Sequence, residues 1–185
     1  FKFGIYLKDL TPITSIFIPD LKIPEKGLFV GNFNSEKNQM TINASVKKLK
    51  YQNFEVDNLI LDQGNSNESL FLNIALGTFA MDSLKFNDVG MSNYLRDDKV
   101  SSNLKLVDPK GTNALDLNAQ LLFTPDSTIF SVLPSELTLN SERWKIDDQF
   151  RILFAENGYH VEDFTLHNKD QRLTVEGMIS KTDNE

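Results

Sequence analysis

The sequence predicts an all-β protein built mainly as one long antiparallel meander. Three observations support this prediction. Apolar and polar residues alternate along several segments, turn-forming residues separate these segments, and no apolar segment approaches the roughly 20 residues of a membrane-spanning helix. At about 8 to 12 residues per strand and turn, a chain of 185 residues should hold ten strands or more.

Four segments show the alternation most clearly. Apolar side chains occupy every second position of residues 40–46, 70–76, 115–123 and 173–179, and polar residues such as Asn118 lie between them. Because successive side chains of a strand point to opposite faces, each segment has one apolar face and one polar face. This pattern is typical of an antiparallel sheet with one solvated face.

The predicted connections fit such a sheet. Asn157-Gly158 predicts a hairpin with a two-residue type I′ turn, because both residue types accept a positive φ. Residues 62–69, 108–111 and 124–127 are rich in Gly, Pro, Asn, Asp and Ser, and they are predicted to form turns.

The chain is predicted to form a single β-rich segment, residues 1–185. Residues 1–26 fit the strand pattern less well. Within them, Thr11 is predicted to cap a short helix at 12–18 that has a proline at its first position. Because Phe1 is not an initiator methionine and no signal peptide is recognisable, the chain is expected to be part of a longer protein.

One eight-residue pattern recurs along the chain. Its first and third residues are apolar, its fifth is Asn or Asp, and its sixth and eighth are apolar. It occurs at 54–61, 84–91 and 159–166, and a fourth copy at 49–56 overlaps the first. In every copy the apolar residues change parity across the Asn or Asp. A regular strand would turn half of them to the wrong face, so we predict a β-bulge at each of these positions.

The composition argues against several classes of function. The chain has 26 acidic and 19 basic residues, a formal net charge of −7. This balance disfavours binding to nucleic acid or to anionic lipid headgroups, because both depend on clustered Lys and Arg. The absence of cysteine excludes disulfides, thiolate nucleophiles and zinc fingers.

No catalytic, metal or cofactor site is predicted. His160 and His167 lack a ligand pattern around them, and residues 62–67 lack the spacing of an EF-hand loop. Ser135 lacks the glycines of a nucleophile elbow. The only tryptophan, Trp144, is expected to pack in the core or at an edge. We therefore expect a protein that is not an enzyme and holds no cofactor.

An antiparallel sheet with one apolar face must cover that face. It can pair with a second sheet, close on itself or fold lengthwise. The period-two pattern does not distinguish these arrangements, because each of them has the same alternation along its strands.

The C-terminal third contains a connected series of landmarks. They are a Pro-Ser pair within 133–140, Trp144, Asn157-Gly158, the segment 159–166 and the segment 171–177. This series resembles the C-terminal region of the translocation and assembly module TamB, within the AsmA-like group, as found in Bacteroides-type bacteria. Residues 58–75 resemble other repeats of that family, so the resemblance covers residues 27–180.

The resemblance implies a specific architecture and function. The sheet would curl lengthwise into a trough, a β-taco, with an apolar interior; a β-sandwich is the alternative. The chain would be a periplasmic segment of a long protein that an N-terminal helix, absent here, anchors in the inner membrane. The family is associated with phospholipid transport and with outer-membrane protein assembly through a BamA-type partner. Implied partners are phospholipid acyl chains, neighbouring segments of the same parent chain and the BamA-type protein, but not nucleic acid.

The alternation and the resemblance together predict an apolar groove lining. Its residues are Val56, Leu59, Leu70, Leu72, Ile74, Leu117, Phe123, Leu137, Leu139, Ile152, Phe154, Val161 and Phe164. Two other functions stay open. An adhesion or carbohydrate-binding β-sandwich would need a row of exposed aromatic residues, and a hydrolase would need converging carboxylates in a cleft.

Overall fold

A computed structural model describes residues 1–66, 68–147 and 150–180, and in this part of the chain it contains fifteen strands and one short helix. The helix is α1 (Thr11–Phe17). The strands are β1 (Lys2–Leu7), β2 (Leu21–Lys22), β3 (Gly27–Asn34), β4 (Gln39–Tyr51), β5 (Phe54–Ser66), β6 (Ser69–Met81), β7 (Leu84–Arg96), β8 (Lys99–Val107), β9 (Ala114–Phe123), β10 (Ser127–Val132), β11 (Glu136–Leu139), β12 (Glu142–Ile146), β13 (Arg151–Ala155), β14 (Gly158–Asn168) and β15 (Gln171–Ser180). All of them belong to one antiparallel sheet, which confirms the predicted fold class.

The order of strands in the sheet nearly follows the order in the chain. From β3 to β10 each strand pairs with the next one. β10 and β11 then lie end to end along β9, which pairs through residues 119–123 with β10 and through residues 114–116 with β11. β12 and β13 lie end to end in the same way along β14. The sheet is therefore a meander in which two of the strands are interrupted.

Three of the four predicted bulge positions have the expected backbone. Asn58, Asp88 and Asp163 lie inside strands with φ of 54°, 50° and 54°, in the left-handed region that Asn and Asp tolerate best among residues with side chains. The pairing register shifts beside Asp88 and beside Asp163, as a bulge requires, but it is unchanged across Asn58, so the predicted extra residue is not present there. The fourth prediction is wrong, because Asn53 lies with Gln52 in the tight turn between β4 and β5.

The positions at which pairing is interrupted line up across the sheet. Lys47 of β4, Asn58 of β5, Gly77 of β6 and Asp88 of β7 stand opposite one another in the register, and no regular ladder pair joins them, although the pairs on both sides are regular. We call this row the crease. Asn58 and Asp88 have a left-handed backbone, which bends and twists a strand, so we expect the sheet to bend along the crease while its apolar residues stay on one face.

The predicted hairpin at Asn157-Gly158 forms, but its turn differs. Ala155 pairs with Gly158, so the turn residues are Glu156 and Asn157. Of these four residues, Gly158 alone has a positive φ, 138°. The turn therefore lies one residue earlier than predicted, and it is not of type I′, because neither of its two residues has a positive φ. A Cβ on Gly158 would collide with the carbonyl oxygen of Ile179 on β15, which explains why glycine occupies this position.

Two of the other predicted turns are present where expected. The Gly111 N–H donates to the Asp108 carbonyl at 3.0 Å, and the Thr124 N–H donates to the Ser127 carbonyl at 2.9 Å. The turn predicted at 62–69 is present but shorter than predicted, because β5 continues to Ser66 and β6 begins at Ser69, and these two residues pair with each other. Cross-strand pairing with β6 holds residues 62–66 in a strand. Residue 67 lies outside the described residues.

The predicted helix is present, and it begins and ends one residue earlier than expected. α1 spans Thr11–Phe17, and Leu10 occupies its N-cap position without a side-chain hydrogen bond. Thr11 is therefore not the cap. The carboxylate of Asp9 accepts the Thr11 N–H at 2.8 Å instead, and so it satisfies one of the free amides at the start of the helix.

Few apolar residues are buried in the described part of the chain. They are Ile23, Ala44, Val46, Ala119, Val132 and Phe150. The accessible surface is 12723 Å², whereas a compact protein of 21.0 kDa exposes about 9,000 Å². A β-sandwich needs two sheets, and the described strands form a single one. The apolar face of the sheet is therefore only partly covered.

Candidate functional site: an apolar groove

The pairing register collects apolar side chains from successive strands on one face of the sheet. The clearest row crosses β4 to β9 without a break. Its members are Ala44, Leu61, Ile74, Met91, Leu104 and Leu117. Since residues directly opposite each other in a sheet point to the same side, the row forms one surface. We call this face of the sheet the groove.

The opposite face of the same strands is polar. A second row crosses β4 to β9 on this face, and each of its members is next to a member of the apolar row in the sequence. Its members are Asn43, Asp62, Asn73, Ser92, Asn103 and Asn118. A step of one residue therefore changes the surface from hydrocarbon to amide, hydroxyl and carboxylate, as the sequence alternation predicts.

All of the predicted lining residues lie on strands, and the register turns them to the groove face. Val56 and Leu59 lie on either side of Asn58, and the left-handed backbone there keeps both in the groove. Ile152 and Val161 lie directly opposite each other on β13 and β14. The contact of these residues with a ligand stays a prediction.

The predicted lining residues do not form one cluster. Val56 and Leu59 flank the crease, whereas the lining residues of β6 extend from Ile74 to Leu70 at the far end of that strand, and those on β13 and β14 lie several strands further along the meander. β7 and β8 lie between β6 and β9, and their groove residues include Met91 and Leu104. The period-two alternation of β7 and β8 predicts that these two residues face the groove.

Phe150 is a groove residue that the predicted lining does not include. Its side chain is 9% exposed. The ring packs edge-on against Phe164, with centroids 4.9 Å apart, and against Phe130, with centroids 6.1 Å apart. Phe150 falls on the same parity as Ile152 and Phe154, so the alternation of residues 150–154 indicates its face although it precedes β13. The three rings join the interrupted strands on the groove side.

The groove contains a cavity of about 640 Å³ beneath the connection between β8 and β9. Its apolar lining includes Leu84, Phe86, Leu106, Leu115, Leu137 and Leu139. The last two belong to the predicted lining. Lys85 and Lys110 also border this cavity. Asp108 lines the same cavity, so charges of both signs border a space whose walls are mainly hydrocarbon.

Asp108 fixes the shape of the connection above this cavity. Its carboxylate accepts hydrogen bonds from the Thr112 N–H at 2.7 Å, from the Thr112 hydroxyl at 2.7 Å and from the Asn113 Nδ2 at 2.8 Å. These hydrogen bonds, that of the Thr112 hydroxyl above all, lower the pKa of Asp108 far below its usual range. The carboxylate is therefore ionised at neutral pH and holds the turn.

Ion pairs lie on the face opposite the groove. Lys48 and Lys50 both contact Glu55 across β4 and β5, and the Lys50 Nζ lies 2.7 Å from a Glu55 carboxylate oxygen. Hydrogen bonds from Lys48 and then from Lys50 lower the pKa of Glu55 to about 2. On β8 and β9, the Lys105 Nζ lies 2.9 Å from Asp116. These cross-strand pairs keep the outer face charged and solvated.

The histidines are not brought together with further metal ligands. The Nδ1 of His160 lies 3.3 Å from Glu162, and the Nδ1 of His167 lies 3.3 Å from Asp147. In residues 1–66, 68–147 and 150–180, no group of three or more His, Cys, Asp or Glu has an arrangement that could hold a metal ion.

Ser135 has a local structural role at the junction of β10 and β11. Its hydroxyl donates to the Leu133 carbonyl at 2.7 Å, and the Ser135 Oγ accepts a hydrogen bond from the Asn118 N–H at 2.9 Å. The register of β9 changes by one residue at this point. Ser135 therefore supplies the hydrogen bonds that the ladder loses where the strand is interrupted.

The described part of the chain contains no helix with the length and hydrophobicity needed to cross a bilayer. No protein-family model, curated protein or solved structure matches the chain.

Proposed function

We propose that this chain is a non-enzymatic periplasmic segment of a TamB-like protein that bridges the inner and outer membranes, and that its groove carries phospholipid acyl chains. The main support is a continuous apolar face that no second layer of the structure covers. Soluble proteins rarely expose large contiguous apolar surfaces unless these bind a partner or a ligand. The TamB-like landmarks between residues 133 and 177 are the second support.

An open groove suits the transient binding that transport requires. Each methylene that leaves water contributes about 0.8 kcal/mol to binding. Because the groove covers an acyl chain from one side and leaves the other side in water, each methylene would contribute only part of that amount. The affinity for a lipid would then increase with the length of its acyl chain, while each local contact would stay weak enough for the lipid to move.

A pair of neighbouring residues allows a controlled test. Phe123 lies in the groove and is 45% exposed, and Leu122 lies on the outer face and is 40% exposed. We expect Phe123→Asp to lose most of the phospholipid that copurifies with the wild-type protein, because a carboxylate in the groove must be desolvated against the acyl chain. We expect Leu122→Asp to keep the wild-type amount.

The measurement is lipid extraction from the purified proteins, followed by mass spectrometry and normalised to protein. Circular dichroism shows whether both variants keep the strand content of the wild type. Equal lipid content in the two variants, or a wild-type protein that binds neither phospholipid nor a fluorescent fatty acid, would refute the proposal.

The second role implied by the resemblance, support of outer-membrane protein assembly, would use the same apolar face for a different cargo. A peptide with the alternating pattern of an outer-membrane strand provides the test. If that peptide displaces a fluorescent fatty acid from the wild-type protein, and Phe123→Asp weakens both ligands, the two cargoes share the groove.

A further inference from the structure

We propose that the groove recognises the two ester carbonyls of a diacyl glycerolipid through the side-chain amides of Gln63 and Asn93. This inference rests on the proposed function, because it names the part of the lipid that the groove holds besides the acyl chains. Both residues belong to a polar interruption of the otherwise apolar groove face. The interruption lies on β5, β7 and β8, inside the sheet, where every strand has a neighbour on both sides.

The polar interruption is a row that runs beside the apolar row of Ala44 and Ile74, on the side away from the crease. Its members are Ile42, Gln63, Leu72, Asn93, Ser102 and Ala119. Gln63, Asn93 and Ser102 are half-buried. Because each of them lies two residues from a member of the apolar row, their side chains point into the groove. Breaks of a local sequence pattern are expected at functional sites.

The rows on both sides of this polar row are apolar across β6 to β9. The members toward the crease are Ile74, Met91, Leu104 and Leu117, and those toward the hairpin turns are Leu70, Leu95, Val100 and Leu121. No charged residue belongs to these three rows between β5 and β9. The polar side chains therefore form an uncharged patch surrounded by hydrocarbon.

The hydrogen bonds inside this patch leave N–H groups unused. The Ser102 hydroxyl donates to the Asn93 Oδ1 at 2.8 Å, and the Asn93 Nδ2 donates to the Leu72 carbonyl at 3.3 Å. Since a side-chain amide has two N–H groups, one N–H of Asn93 remains. The Gln63 amide has no hydrogen-bond partner among the described residues. A ligand that covers this patch must therefore supply acceptors, because amide groups removed from water without a partner cost free energy.

The position of the two amides suits a ligand with two neighbouring acceptors. Gln63 and Asn93 lie directly opposite Leu72, one on each side of it. Neighbouring strands are about 4.8 Å apart, so the backbones of Gln63 and Asn93 are about 10 Å apart. A glycerol group seated above Leu72 lies between the two amides, and each of its ester carbonyls can accept one N–H.

The chemistry of the patch favours an ester over a charged group or a peptide. Without a cation, the patch cannot replace the water around a phosphate or a carboxylate, whereas an ester carbonyl is a neutral acceptor that adjoins the acyl chain. A peptide strand presents a carbonyl at every residue, and most of these would meet the hydrocarbon of the flanking rows. A glycerolipid has its two carbonyls in one place, as the patch requires.

Two lipids that differ only in their linkages test this assignment. A short-chain diacyl phosphatidylcholine and its dialkyl ether analogue share their headgroup and chain length, but the ether lipid lacks both carbonyls. The measurement is displacement of a fluorescent fatty acid by each lipid, below the concentration at which the lipid forms micelles. The result is the ratio of the two dissociation constants, ether over ester. Comparison of this ratio between protein variants cancels the different hydration of the two lipids.

Each net hydrogen bond strengthens binding about threefold. We therefore expect Gln63→Leu to lower the ratio about threefold, and Gln63→Leu combined with Asn93→Leu to lower it about tenfold. Gln120→Leu is the matched control, because Gln120 is half-buried on the outer face of β9, and it should keep the wild-type ratio. The side-chain amide signal of Gln63 in NMR spectra should shift with the ester lipid and much less with the ether lipid. Circular dichroism shows whether the variants keep their strand content.

The outcomes separate this inference from the proposed function. If both lipids bind and the ratio is the same in the wild type and in Gln63→Leu, the ester assignment is overturned and lipid carriage stands. If neither lipid displaces the fatty acid from the wild type, both proposals fail. If Gln63→Leu weakens an alternating peptide about threefold and leaves the lipid ratio unchanged, the amides bind a polypeptide, and the ester assignment is overturned as well.

Discussion

Substitution of Asn58 tests whether the crease depends on a residue that tolerates positive φ. Asn58 is exposed and has φ of 54° inside β5, and its side chain lies close to Gly77 of the next strand. The left-handed conformation costs an ordinary residue roughly 1–2 kcal/mol, and Asn is one of the few residues that reduce this cost. A β-branched side chain in this conformation is a steric outlier.

We therefore expect Asn58→Val to lower the free energy of unfolding by about 1–2 kcal/mol. At a urea dependence of about 2 kcal/mol per molar, the unfolding midpoint should fall by about 0.5–1 M. The assay is urea unfolding followed by circular dichroism. We expect Asn58→Gly to stay within about 0.5 kcal/mol of the wild type, since glycine adopts this conformation without strain.

Asn43→Val is the matched control. Asn43 is also exposed on the outer face, but it lies in the regular part of β4, where its backbone is paired on both sides. Valine favours extended strands, so this variant should be as stable as the wild type or more stable. Equal losses in the two valine variants, or no loss in Asn58→Val, would show that positive φ at Asn58 does not limit stability.

Two further predictions concern a carboxylate and a glycine. NMR titration should give Glu55 a pKa of about 2 instead of 4.5, and Lys48→Met should raise it more than Lys50→Met, because Lys48 is the stronger partner. Since the pKa is lower in the folded state, Glu55 stabilises the fold at neutral pH, and this stabilisation should disappear as the pH falls from 4.5 to 2. A difference in the free energy of unfolding between the wild type and Glu55→Gln that does not change with pH would contradict this prediction. Gly158→Ala should cost more than about 1 kcal/mol of stability, because its Cβ collides with β15 at a positive φ. Gly177→Ala, where a Cβ meets nothing within 4 Å, is the control, and equal losses in the two would refute the explanation.

The strands and their faces were predictable because alternation is a local property. The same holds for the left-handed residues at Asn58, Asp88 and Asp163, since a change of parity within a short segment requires an irregular backbone. The copy at Asn53 has the same local pattern but forms a hairpin turn. Whether such a copy forms a bulge or a turn depends on whether the segments on either side of it pair with each other, and the local pattern does not contain that information.

The interrupted strands were beyond local reasoning. Two short strands, β10 and β11, share one long neighbour, β9, and Ser135 bridges their junction through hydrogen bonds to distant backbone. Phe150 lies in the second interruption, and its burial comes from rings on β10 and β14. Such contacts join residues far apart in the sequence, so no window along the chain contains them.

Local pattern also fails to predict exposure. β15 alternates as regularly as the central strands, yet both of its faces are exposed. A groove residue is covered by the curvature of the sheet and by the strands on both sides of it, and β15 has a neighbour on one side in the described part of the chain. The sequence therefore predicted which way side chains point better than it predicted how much solvent they meet.

The crease also has a mechanical consequence. Each of β4 to β7 is divided at this line into two hydrogen-bonded panels, and no regular ladder pair crosses at Lys47, Asn58, Gly77 or Asp88. The angle between the panels can therefore change through the backbone torsions of one residue per strand, without breaking the ladders on either side. We therefore expect this part of the sheet, from β4 to β7, to bend at the crease more readily than elsewhere, so that the width of the groove there can adapt to cargoes of different bulk.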